Sequence, residues 1–369
     1  MLTIPGMKYI DEFRDPVLAR KLLGKVRERS RRSARFMEFC GGHTHAIFRY
    51  GLRQLLPPTV ELRSGPGCPV CVTANADLDR AIALANQPGV IMTTFGDMIR
   101  VPGSHSSLQT AKAEGADVRI VYSTLDALQV ARDHPDRAVI FLGVGFETTA
   151  PTVAASILAA EVEGLDNFYV LSLHKLTPPA TRAILDAGEV RLAGIIGPGH
   201  VTTVIGSQAW QFLPREYAVP CAVTGFEPLD ILQAVADMVD MVESGRPAVV
   251  NTYSRSVRPE GNPTAMDVMH RVFEVSEAEW RGLGRVPASG LALRPAYARF
   301  DAALAFPVEP GPVREHSGCR CGDVLRGVVE PLDCPLFRRV CTPARPIGPC
   351  MVSAEGACAA WYKYGDVDA

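Results

Sequence analysis

Short apolar runs separated by helix-like stretches constrain this chain more than any other feature. Strand-sized runs recur at 36–39, 90–94, 118–122, 138–142, 168–173, 192–196 and 218–224. Amphipathic stretches at 76–86, 124–133, 148–163, 178–187 and 229–242 lie between them. Strands alternating with helices, at roughly 25–30 residues per unit, argue for parallel sheets covered on both faces. A chain of 369 residues holds too many such units for one comfortable sheet, so the pattern predicts an α/β fold with two lobes. We expect an N-terminal helical segment over 1–35, with Val17, Leu22, Leu23 and Val26 on one side. A first lobe over 36–124, a second over 125–245 and a C-terminal domain over 246–369 follow, with segments free to exchange between the lobes.

Charge and hydropathy remove several function classes. The 38 Lys+Arg against 40 Asp+Glu leave a net charge of -2, so there is no basic field for nucleic acid. No apolar run approaches the roughly 18 residues of a membrane span. The opening stretch carries Lys8, Asp11, Glu12, Arg14 and Asp15, which excludes a signal peptide and predicts a cytoplasmic protein.

The strand–helix pattern breaks after about residue 244. Segments 246–261 and 286–312 are rich in Pro, Gly and Arg, with helix expected only around 263–281. The last fifty residues are dense in Cys, Gly and Pro and suit a small domain organised by something other than an apolar core. Of ten cysteines, Cys321, Cys334, Cys341 and Cys358 read C-x12-C-x6-C-x16-C, with Cys319 and Cys350 as further candidates. A zinc knuckle prefers tight C-x2-C pairs. Four widely spaced thiolates suit an iron–sulfur cubane, while zinc and plain buried or redox thiols remain alternatives. Cys221, within the apolar run 218–224, reads as a buried structural thiol.

Two motifs nearer the amino terminus carry chemistry. Cys68-Pro69-Val70-Cys71 follows Ser64-Gly65-Pro66-Gly67 and can form a reversible disulfide or hold a soft metal. Cys40-Gly41-Gly42-His43-Thr44-His45 is expected at a strand-to-helix turn, its two glycines flexible, ahead of a helix over 46–55. Its thiol and imidazoles fit a metal site or a Cys–His nucleophile pair, and either histidine could instead be structural. Pro198-Gly199-His200-Val201 sits where another strand meets its helix. Three strand ends echo one another as Phe95-Gly96-Asp97, Gly145-Phe146-Glu147 and Gly225-Phe226-Glu227. They read either as plain βα-turns or as lining for the crevice where open α/β sheets bind ligands. No Walker P-loop occurs, and Gly143-Val144-Gly145 is only part of a dinucleotide fingerprint.

These motifs, in this order, resemble the HypD family of hydrogenase maturation factors. The likeness runs from Tyr9-Ile10-Asp11-Glu12 to Glu355-Gly356-Ala357-Cys358, with Phe39 where the family pattern has Val. The resemblance implies two Rossmann-like lobes and a small Cys-rich C-terminal domain carrying a [4Fe-4S] cluster on Cys321, Cys334, Cys341 and Cys358. It implies an assembly scaffold for the Fe(CN)2(CO) group of [NiFe]-hydrogenases rather than a metabolic enzyme, with redox activity left open. Cys40, His43, Cys68 and Cys71 are the implied assembly residues, and Cys40, Cys68 and Cys71 the implied ligands of a transient iron carrying CO and cyanide. A HypC-like small chaperone and a HypE-like cyanide donor, working with HypF, are the implied partners. The competing readings are a cluster-dependent protein disulfide reductase using Cys68/Cys71 and a zinc-stabilised interaction module.

Overall fold

The computed structural model describes residues 7–8 and 11–365; Tyr9 and Ile10 lie outside the described residues. Its strands are β1 (Ala34–Glu38), β2 (Val60–Ser64), β3 (Val90–Thr94), β4 (Asp117–Ile120), β5 (Ala138–Gly143) and β6 (Phe168–Ser172). They continue with β7 (Gly194–Pro198), β8 (Cys221–Thr224), β9 (Val249–Asn251), β10 (Phe273–Trp280) and β11 (Gly284–Leu293). One sheet has the order β2-β1-β7-β8-β9 and a second β4-β3-β5-β6, and every pairing within both is parallel. β3, β7 and β8 are buried along their whole length, as strands covered by helices on both faces must be. The chain is thus α/β with two Rossmann-like lobes and a Cys-rich C-terminal region.

The lobes are interleaved. The four-stranded sheet, β3 to β6, is inserted between β2 and β7, so the five-stranded sheet draws on two distant segments. A cut at 124/125 falls between β4 and β5 of one sheet and does not separate the lobes. The physical reason is that β1 pairs with β7, Phe36 opposite Gly194, closing the first sheet only after the second is complete. Gly194 has no side chain because the Phe36 ring occupies that space.

Two expectations for the carboxyl third are corrected. The helix around 263–281 ends at Val272, and 273–280 becomes β10. Phe273 and Trp280 are buried at its two ends, an odd number of residues apart, because the register shifts between Ser276 and Ala278 as it pairs antiparallel with β11. The stretch from 286 onward, expected to be irregular, supplies β11. The N-terminal helix spans Pro16–Arg29, started by Asp15 accepting from the Val17 and Leu18 amides, and packs along the helix Pro228–Ser244. Among the described residues no helix is long and apolar enough to cross a membrane.

Candidate functional site

Four of the motifs meet along one edge of the five-stranded sheet. Cys40 follows β1, Gly65–Cys71 follow β2, Gly199-His200 follow β7 and Gly225-Phe226-Glu227 follow β8. β1 connects to β2 on one side while β7 lies on the other, so Cys40 and His200 flank the point where strand order reverses. Open parallel sheets bind their ligands there.

The glycines of the Cys40 motif do not make a flexible turn. The helix begins at Gly41 and runs to Arg49, with Cys40 as its N-cap and His43 and His45 inside its first turns. Neither Gly41 nor Gly42 adopts a positive φ. Both are glycine because neighbours press on them: a Cβ on Gly41 would meet the Glu355 carbonyl at 2.6 Å, and one on Gly42 would meet the Phe226 ring at 2.9 Å. Gly67 is wedged likewise against the Cys40 backbone, and its carbonyl accepts the Gly41 amide at 2.9 Å. The loops bearing Cys40 and Cys68 are therefore in direct contact.

The Cys40 thiol is half-buried, and its titration is pushed up to about 12 by burial and by the nearby Glu355 and Glu38 carboxylates. Glu38 is fully buried and held up to about 8 by that burial, while accepting from the Thr44 hydroxyl and from the Cys40 amide at 2.9 Å. His43 is buried and stacks on Phe226 with ring centroids 4.5 Å apart. Its Nε2 donates to the Gly225 carbonyl at 3.0 Å, and burial lowers its titration to about 4. Nδ1 is then an unprotonated lone pair, and it has no hydrogen-bond partner. His200 covers the other side of Phe226 at 4.1 Å, so one ring lies between two imidazoles. His45 points elsewhere, against Tyr364.

Cys68 and Cys71 form a disulfide, with Cα atoms 5.2 Å apart, at the start of the short helix Pro69–Val72. Cys71 Sγ lies 4.0 Å from the Pro349 carbonyl, which joins this pair to the Cys-rich tail. There Cys319, Cys321, Cys334, Cys341, Cys350 and Cys358 all line one small cavity, otherwise walled by Arg320, Val324, Leu336, Phe337, Gly348 and Met351. The six are not equivalent. The neighbouring Cys350 holds Cys321 down, while Cys321, Cys358 and burial push Cys350 up. Cys319 is pushed up to about 12 by burial and by the charges of Cys321, Cys334 and Cys358. Cys341 is raised by burial and by Cys358 and Cys334. Among the described residues, no three His, Cys, Asp or Glu side chains gather tightly enough to hold a single metal ion.

Some participants carried no signal in the sequence reading. Glu38 and Glu355 flank Cys40, yet each reads as an ordinary acid beside a motif. Pro349, one of the prolines flanking the tail's cysteines, reads from sequence as a loop stiffener. Of the three echoing strand ends, only Phe226 reaches this edge of the first sheet. Glu147 is buried in the second lobe, accepting the Thr177 amide at 2.8 Å. Cys221 is buried within β8.

A family model for HypD, described as "Hydrogenase formation hypA family", matches residues 17–365. The chain is 51% identical over 368 residues to "Hydrogenase maturation factor HypD" of Azotobacter vinelandii, covering 97% of each chain. It is 50% identical over 369 residues to the Cupriavidus necator protein of that description, again covering 97% of each. Against that of Escherichia coli K12 it is 45% identical over 366 residues, covering 97% of this chain and 98% of the relative.

Proposed function

Because the chain belongs to the HypD family of hydrogenase maturation factors, we propose that it is the cytoplasmic scaffold on which the Fe(CN)2(CO) group of [NiFe]-hydrogenases is assembled. The observation that carries this reading is the contact between the Cys40 helix start and the Cys68–Cys71 loop at the sheet's reversal point, with the tail's cysteines behind. Iron carrying CO and cyanide is soft and low-spin, and thiolates are its preferred protein ligands. Cys40, Cys68 and Cys71 would hold this cargo. Reducing Cys68–Cys71 takes two electrons and two protons and frees two thiols, so the pair acts as a gate on iron binding. Glu38 and His43 position the Cys40 turn from below by fixing its backbone and the Phe226 ring. A HypC-like chaperone would share the iron, and a HypE-like protein would deliver cyanide.

The tail fits a [4Fe-4S] cluster by its donor set: six thiols around one cavity whose remaining wall is apolar apart from Arg320. Each iron of a cubane takes one thiolate, so its ligands are spread around a cavity and need not converge on one point. When bound, such a cluster supplies electrons singly. Cys334, Cys341 and Cys358 would hold it under any assignment. The family pattern carried from sequence takes Cys321 as the fourth.

The deciding measurement is an infrared spectrum of the protein purified anaerobically with its small partner. Stretching bands of CO and cyanide are expected, and Cys40→Ser, which exchanges a soft thiol for a hard hydroxyl, should abolish them while leaving tail iron intact. Bands that survive Cys40→Ser overturn the iron site. A protein that never shows them yet reduces partner disulfides through Cys68/Cys71 is a reductase.

A further inference from the structure

Part of the cysteine cavity's wall also faces an open pocket at the surface. A pocket of about 290 Å³ shares Cys319, Cys321 and Gly348 with the cavity's wall. Gly348 is required there, since a Cβ would sit 2.7 Å from Cys319 Sγ. The pocket is otherwise polar and basic, with Arg281, Arg314 and His316 against Glu315. Through 102–104 it continues into a shallower pocket carrying Arg100 and His105.

The charge of this groove runs against that of the chain, whose net value is -2. Glu315 is the one acid lining it among the described residues, and that acid is spent on Arg281 at 3.0 Å. Arg281 itself is buried, tied also to the Thr73 carbonyl and Asn75. Arg100 reaches only the Pro343 and Val352 carbonyls, each at 3.4 Å, and no ion pair among the described residues uses Arg100 or Arg314. Paired arginines, such as Arg132 with Glu163 and Arg255 with Asp230, and unpaired ones both occur elsewhere; what marks this groove is that two unpaired arginines line the way to the tail's cysteines. Unpaired cations concentrated at one mouth attract an anionic surface and steer its approach.

We propose that this groove is the docking surface for an acidic one-electron carrier protein that feeds the tail's cluster. The inference rests on the reading of the tail as a cluster domain. One electron leaves the carrier's reduced centre and is taken up behind Cys319 and Cys321; no bond breaks and no proton moves. A basic rim suits a transient partner that must arrive, react and leave, because steering raises the on-rate without a large buried area.

The test uses the whole chain, purified anaerobically with its iron and sulfide counted, and an acidic plant-type [2Fe-2S] ferredoxin as probe. Binding is measured by calorimetry and cluster reduction by stopped-flow absorbance. At low ionic strength Arg100→Glu/Arg314→Glu should weaken ferredoxin binding about tenfold and slow reduction in proportion. Lys21→Glu, on the exposed face of the N-terminal helix, should change neither. Reduced methyl viologen, a cation, should reduce the double variant at least as fast as the parent, which also shows that the variant is folded. Ferredoxin binding indifferent to the double reversal, or binding without reduction, overturns the docking surface alone. A protein that carries no iron and sulfide overturns the cluster reading and this inference with it.

Discussion

Replacing Gly67 with alanine tests whether the two cysteine loops must touch. A Cβ at this position would lie under 3.0 Å from the Cys40 amide nitrogen and Cα and from the Phe39 carbonyl carbon. All three are backbone atoms, so no side chain can swing aside and the loops themselves must part. Overpacking of this kind costs about 1–3 kcal/mol. Parting the loops also removes the 2.9 Å bond from the Gly41 amide to the Gly67 carbonyl, worth about 1 kcal/mol. A loss of roughly 3 kcal/mol lowers Tm by roughly 6–12 °C for a lobe of this size. Scanning calorimetry reads the shift, and iron bound after anaerobic reconstitution reads the separation of Cys40 from Cys68 and Cys71. Gly24→Ala is the control. It stands in an exposed helical turn with nothing within 4 Å, and should raise stability by about 1 kcal/mol. A Gly67→Ala protein that melts with the parent and binds as much iron would refute the contact argued here.

Three further outcomes are expected. Cys321→Ser should lose the tail's iron, whereas Cys319→Ser should keep most of it; iron and sulfide analysis with visible absorbance decides, and the reverse ranking makes Cys319 the ligand. Glu147 is held up to about 7 by burial, from 4.5, so its contribution to stability is complete below about pH 4.5 and is lost as pH rises through about 7. That loss approaches about 3 kcal/mol on the alkaline side. Glu147→Gln, which still accepts the Thr177 amide, should therefore melt above the parent at pH 8.5 and lose that advantage at pH 5; parallel pH profiles would sink the assignment. Phe226→Ala removes the half-buried ring that packs on His43 and His200, and should cost less than the roughly 3–5 kcal/mol of a fully buried Phe while exposing the His43 ring to solvent, seen as an NMR titration moving up toward its ordinary range.

What the sequence disclosed about this site was its chemistry, and what it withheld was its neighbours. Cys40, Cys68 and Cys71 stand out because thiols beside glycines are rare in a plain α/β core. That they share one sheet edge follows from strands β1 and β2 being adjacent in sequence and in space. His200 and Phe226 arrive from more than a hundred residues away, and no local pattern states that β7 will pair with β1. The same gap hid Glu355, whose backbone occupies the place a side chain on Gly41 would need. The glycines of the Cys40 motif were misread for a related reason: flexibility is a local property, but close approach belongs to the partner. In the tail, spacing separated candidate cluster thiols from a zinc knuckle but could not rank Cys319 against Cys321, because two cysteines with one residue between them have nearly the same spacing to every other.

The order in which the strands close has a consequence during synthesis. β1 and β2 leave the ribosome with Cys40, Cys68 and Cys71, yet their sheet lacks its centre until β7 emerges about 130 residues later, a delay of roughly 6–25 s at ordinary elongation rates. The inserted lobe can fold within that interval, while the nascent first lobe waits with an unpaired β1 edge and three accessible thiols. The tail that packs against those thiols is translated last. Newly made chains are therefore open to stray metal and oxidant longest at the residues on which assembly would depend, and a fragment ending before β7 would never bury them.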